Sequence, residues 1–127
     1  LGHKGVELIT VPAMHTRKRR FFEGTDAIVT LPGGTGTLEE ILEALTWKRL
    51  GLLTCPMIIV NTDGYYDPLR QMLENAVQEK FMAPEHEDMW TFVDRAEDVM
   101  DAIQHAPKWS PDNFRFAVPH KDPSDFI

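Results

Sequence analysis

The 127-residue sequence contains one cysteine, Cys55, which excludes an intramolecular disulfide framework. A lone thiol fits a reducing compartment, so a cytoplasmic location is the expectation. No apolar run approaches the length that crosses a bilayer, and the first residues carry no signal-peptide core. Basic residues are in deficit. The 13 Lys+Arg against 20 Asp+Glu give a formal charge of −7, which argues against nucleic acid or an anionic membrane as partner but leaves small anions open to local capture. Five histidines (His3, His15, His86, His105 and His120) show no paired or H-E-x-x-H spacing. No metal is expected, and PEHED at 84–88 reads as a solvated loop. An initiator methionine is missing, Leu1 being followed at once by Gly2, so the chain is expected to be the later part of something longer.

What is present is a globular composition, 43% apolar and 26% charged, in a length that suits a single domain. Short apolar runs at 6–11, 26–31 and 56–61, with a weaker one at 89–93, read as buried strands. Helical patterns alternate with them: TLEEILEALTWKRL up to Gly51, DPLRQMLENAVQEKF with Asp67 as cap and Pro68 in its first turn, and RAEDVMDAIQ. The alternation predicts an α/β fold, a Rossmann-like parallel sheet with helices on both faces, in which ligands sit beyond the carboxyl ends of the strands. Residues 1–106 are read as this domain and 107–127 as an extended, proline-rich tail whose Trp109, Phe114 and Phe116 pack on the body or on a partner subunit.

The stretch LPGGTGTLEE at 31–40 falls where a predicted strand passes into a predicted helix. The free N–H groups of a helix's first turn, together with its dipole, favour an anion there, phosphate above all. Neither a P-loop nor a dinucleotide fingerprint fits, since no Lys follows Gly36 and no glycine stands at position 39. Thr37 and Glu40 have the spacing of a capping box, a purely structural explanation. Against it, Leu38, Ile41, Leu42 and Leu45 form one apolar stripe while Glu40, Glu43 and Trp47 align on the other side. That second side is read as meeting a ligand or another subunit, in preference to a Trp47 lying along its own helix.

Upstream, Arg17, Lys18, Arg19 and Arg20 interrupt an otherwise acidic sequence. Arg19 and Arg20 read as a solvated face. Arg17 and Lys18 follow the carboxyl end of the first predicted strand, where a guanidinium suits phosphate or ribose oxygens. Cys55 reads as a small buried residue, and the Tyr65–Tyr66 pair after Asp63-Gly64 as rings lining the site or buried beneath its loop.

AMHTRK followed by LPGGTGTLEE resembles the MHxRK and PGGxGTxxE motifs of the Lonely Guy family, nucleoside 5'-monophosphate phosphoribohydrolases that activate cytokinins and are often labelled lysine decarboxylases. The likeness extends through NTDGYYDPL and MAPEH, over roughly residues 6–105. It implies a homodimer that hydrolyses the N-glycosidic bond of an adenine-type nucleotide, giving free base and ribose 5-phosphate without a cofactor. It also implies that Arg17 and Glu40 are catalytic and that Met14, Lys18, Gly33, Gly34, Thr35, Gly36 and Thr37 bind substrate. No lysine stands in a setting that suggests a pyridoxal Schiff base, whatever the label.

The chain departs from the family in two ways. An earlier glycine-rich segment and the first strands of the sheet are absent, which predicts an exposed sheet edge and a ribose pocket lacking part of its wall. In TWKRLGLLTCP, Arg49, Leu53 and Cys55 replace the family's glutamine, histidine and lysine. The competing expectations are therefore a nucleotide or phosphorylated-cofactor binding protein without turnover, and an inactive fragment of the fold.

Overall fold

Three short parallel strands, β1 (Ile28–Thr30), β2 (Met57–Val60) and β3 (Thr91–Val93), form a sheet in the order β1-β2-β3 in the computed structural model, which describes residues 24–118. Ile28 stands opposite Met57, and Ile58 opposite Thr91. Parallel neighbours need a crossover, and helices supply both. α1 (Thr35–Arg49) joins β1 to β2, α2 (Asp67–Gln78) lies between β2 and β3, and α3 (Val99–His105) follows β3. The arrangement is α/β and Rossmann-like, as the alternation of patterns predicts. Every residue of β2 is buried, which explains its unbroken run Met-Ile-Ile-Val: a central parallel strand is covered on both faces. The predicted strand at 6–11 lies outside the described residues.

α1 ends where its sequence dictates. Gly51 adopts φ +79°, and Leu52 N–H reaches the Trp47 carbonyl (2.9 Å) while Gly51 N–H reaches that of Lys48 (3.0 Å). This is the Schellman pattern, which satisfies orphan carbonyls at a helix end. Gly51 is also required by a neighbour, because a Cβ there would lie 2.6 Å from the Pro111 carbonyl oxygen. That contact belongs to the segment after α3. Trp109 is buried and donates through its indole N–H to the Lys48 carbonyl at 2.7 Å, so the segment packs on the body. Within it, Pro111–Ala117 winds into a 3-10 helix whose preceding Ser110 hydroxyl accepts from Asp112 N–H. A serine cap with proline at the first helical position gives the local reason for a turn where no periodicity announces one.

Three local expectations are corrected, and the capping-box alternative falls away. The buried face of α1 is Thr37, Glu40, Ile41, Ala44, Leu45 and Lys48, whereas Leu42 of the expected stripe is 47% exposed. Spacing of i, i+3, i+4, i+7 fits this set, polar members included, and hydrophobicity alone misplaces it. α1 begins two residues before Thr37, so Thr37 and Glu40 both lie inside the helix and form no capping box. Asp67 is the first residue of α2 rather than its cap, its carboxylate being engaged by Asn61 at 2.8 Å. PEHED is no solvated loop either. Pro84–Met89 closes a 3-10 turn that rolls His86 and Met89 inward.

Candidate active site

The β1–α1 junction has little side chain and several donors without an intrahelical acceptor. Gly34 is the N-cap of α1 and carries no side-chain cap, so Leu38 N–H, bonded to the Gly34 carbonyl at 3.0 Å, begins the helical ladder. The N–H groups of Thr35, Gly36 and Thr37 precede it and have no intrahelical acceptor. No acidic residue occupies the first turn, while Lys48 and Arg49 occupy the last, so the positive end of the dipole is left for an outside anion. Among the described residues, a Cβ built on Gly34 or Gly36 would meet nothing within 4 Å.

Gly33 is different. A Cβ there would lie 2.2 Å from Thr37 Oγ1, so the absent side chain is needed to let the buried Thr37 fold back under the loop. One turn further, Glu40 is 4% exposed, on the same inner face of α1. Trp47 donates its indole N–H to Glu43 at 2.9 Å, one turn apart on α1. The tryptophan therefore lies along its own helix, contrary to the outward-facing expectation. Gly33, Gly34, Thr35, Gly36, Thr37 and Glu40 are thus gathered at one end of β1. Met14, Arg17 and Lys18 lie outside the described residues.

The turn after β2 reaches across to this loop. Tyr66 is buried and donates its hydroxyl to the Leu31 carbonyl at 2.7 Å; Tyr65, 51% exposed, donates to the carbonyl of Gly33. The pair divides the two readings open to it, one ring buried and the other at the edge of the glycine loop. Burial raises the Tyr66 phenol above its ordinary value, with Tyr65 adding to the shift. Asn61 ties the turn together, accepting from Tyr66 N–H and donating to Asp67. Alternating apolar and polar letters gave no hint of these contacts, although the local run N-T-D-G marks the turn that makes them.

Two buried polar side chains lie toward the other end of α1. Lys48, 1% exposed, donates to the carbonyls of Cys55 (2.8 Å) and Met89 (2.9 Å). Desolvation lowers its pKa to about 8. Both acceptors are backbone groups at the ends of neighbouring segments, so Lys48 is a structural tie. Cys55 is half-buried, and burial raises its thiol pKa. His86 is fully buried, and its Nδ1 accepts from Ala83 N–H at 2.9 Å, which places the ring proton on Nε2. Desolvation, reinforced by the Arg49 guanidinium, lowers its pKa to about 4. No three His, Cys, Asp or Glu side chains gather to hold a metal among the described residues, and no helix there is long and apolar enough to cross a membrane.

The family described as possible lysine decarboxylase matches residues 2–103. Over 104 residues the chain is 38% identical to the probable cytokinin riboside 5'-monophosphate phosphoribohydrolase LOGL3 of Oryza sativa subsp. japonica, covering 82% of this chain and 49% of that protein. Identity to the cytokinin riboside 5'-monophosphate phosphoribohydrolase LOG2 of Arabidopsis thaliana is 47% over 77 residues, 61% of this chain and 36% of the relative. To LOG3 of the same plant it is 37% over 102 residues, 80% of this chain and 47% of the relative. The chain spans about half the length, or less, of these curated relatives.

Proposed function

The chain belongs to the possible lysine decarboxylase family, and from that premise we propose that it hydrolyses the N-glycosidic bond of adenine-type nucleoside 5'-monophosphates, cytokinin nucleotides among them. The observation that carries the reading is the glycine loop. N–H groups without an intrahelical acceptor, and space over Gly34 and Gly36 clear of the described residues, suit a 5'-phosphate at the N-terminus of α1, and the relatives this chain resembles are named for acting on riboside monophosphates.

In this reading the phosphate anchors the ribose, and water adds to C1' as the bond to the base breaks. Products are ribose 5-phosphate and the free base. The transition state is oxocarbenium-like, so a carboxylate set one turn in from the phosphate stabilises the developing positive charge or orients the water. Glu40 fills that role. Arg17 stays protonated, and its place is on phosphate or ribose oxygens or on the charge of the departing base. Met14, Lys18 and Thr35 complete the substrate contacts, with Gly33, Gly34, Gly36 and Thr37 as the phosphate cradle.

Lysine decarboxylation has less support. Lys48, the buried lysine of the described residues, already has its ammonium on two backbone carbonyls, a tie rather than a nucleophile. The proposal extends to a cytoplasmic homodimer. One thiol and a charge of −7 suit that compartment, and Leu31, Leu42 and Leu50, each more than 40% exposed, offer an apolar contact beside α1.

Release of ribose 5-phosphate from AMP, compared with release of ribose from adenosine, tests the reading. Turnover of AMP with adenosine left intact is expected, because the phosphate supplies the anchoring. Equal turnover of both, or of neither, contradicts it.

A further inference from the structure

We propose that Tyr65 is a positioning residue for the glycine loop: its hydroxyl latches the Gly33–Gly34 peptide so that the Gly34 N–H is turned toward the anion side of the loop. The inference rests on the phosphate reading of that loop and adds a part played by the turn after β2.

A peptide flanked by two glycines is the easiest kind to flip, because neither neighbour has a Cβ to restrict φ and ψ. In a trans peptide C=O and N–H point in opposite directions. A flip at Gly33–Gly34 would therefore put a carbonyl oxygen where an anion needs a donor. The Tyr65 hydroxyl accepts no such ambiguity, since it donates to the Gly33 carbonyl and so fixes the plane with the Gly34 N–H on the far side. At the other end of the loop, Tyr66 donates to the Leu31 carbonyl at 2.7 Å. The next residue there is Pro32, which has no N–H, so that contact anchors β1 without aiming a donor.

The latch is itself held rigidly. Asp63 takes φ +52° and Gly64 φ +74°, left-handed values that an aspartate tolerates and a glycine adopts freely, so the sequence suits this tight turn. Asn61 bridges Tyr66 N–H and Asp67, and a Cβ on Gly64 would lie 2.8 Å from Asp67 Oδ2. The two tyrosine rings meet edge to face with centroids 4.9 Å apart. Tyr65 is half exposed, so its ring contributes little burial, and the position of its hydroxyl is what the turn secures.

Tyr65→Phe removes the donor and keeps the ring. NMR relaxation of the Gly33 and Gly34 amides, the Gly33 carbonyl resonance, and the affinities for AMP and adenosine are to be measured in both proteins, with Tyr66→Phe alongside. In Tyr65→Phe the Gly33 carbonyl resonance is expected to shift and the Gly34 amide to show added exchange broadening. AMP should bind roughly five-fold more weakly, the loss of about one hydrogen bond, and adenosine unchanged. Tyr66→Phe should instead perturb Leu31 and lower thermal stability. Gly33 and Gly34 resonances and relaxation unchanged in Tyr65→Phe overturn the latch. Altered Gly34 dynamics with unaltered AMP affinity would uphold the latch and overturn the phosphate reading on which it rests.

Discussion

Gly33 and Thr37 approach so closely that a methyl group on the glycine would lie 2.2 Å from the threonine hydroxyl oxygen, whereas Gly36, three residues on in the first turn of α1, has none of the described residues within 4 Å of where its methyl would stand. Two glycines of one motif therefore serve different ends, one the packing of the fold and the other the volume above it.

Substitution separates the two. Gly33→Ala should destabilise the fold by about 1–3 kcal/mol through overpacking against Thr37. Gly36→Ala, in the first turn of a helix, should gain up to about 1 kcal/mol from helix propensity yet weaken AMP binding by roughly ten-fold or more, since its methyl enters the anion space. Thermal melts and AMP titrations of both variants check the contrast. A Gly36→Ala protein that binds AMP like the parent would remove the anion from that space.

Lys48 makes stability rise with pH. Its folded pKa of about 8 lies below the ordinary 10.5, so the unfolded chain binds more protons between those values. The cost of burying the charge is fully present below pH 8 and is relieved as pH rises toward 10.5, by about 3 kcal/mol at most. Cys55 and Tyr66, whose pKa values are raised, work in the opposite direction at alkaline pH. The difference between the parent and Lys48→Met isolates the lysine: unfolding free energy from pH 7 to 10 should climb less steeply in the variant.

His86 gives the acid counterpart. Its folded pKa of about 4 lies below the ordinary 6.5, and a buried neutral imidazole must charge on unfolding. Stability is therefore intact above pH 6.5 and falls as pH drops through that value toward 4, by an amount on the order of 3 kcal/mol. His86→Gln should be less stable at neutral pH yet lose less between pH 6.5 and 4. Urea unfolding at a series of pH values reads the two slopes, and parallel slopes would mean that His86 is not the titrating group.

How much of this was legible in the sequence depended on the physics behind each feature. The strands at Ile28–Thr30 and Met57–Val60 were readable because parallel strands bury both faces and so appear as short apolar runs. The junction of β1 and α1 within 31–40 was readable because glycines at a strand–helix junction have few other uses. The inner face of α1 was not, since Thr37, Glu40 and Lys48 are polar and their burial depends on partners far away in sequence, Met89 for Lys48 among them. His86 looked solvated for the same reason. Its neighbours are acidic, and only the 3-10 turn shows which way the ring points. The tyrosine contacts join residues 32 and 35 positions apart, a pairing that no local pattern encodes.

The most direct test is the release of ribose 5-phosphate from AMP and from N6-isopentenyl AMP by the parent and by Glu40→Gln, with AMP binding measured on the same preparations. Glu40→Gln is expected to lose turnover by roughly a hundred-fold or more while AMP affinity stays within a few-fold, as befits a group that acts in the transition state. Turnover that survives in Glu40→Gln, accompanied by a lower melting temperature, would contradict the assignment and leave Glu40 as a buried structural carboxylate of α1.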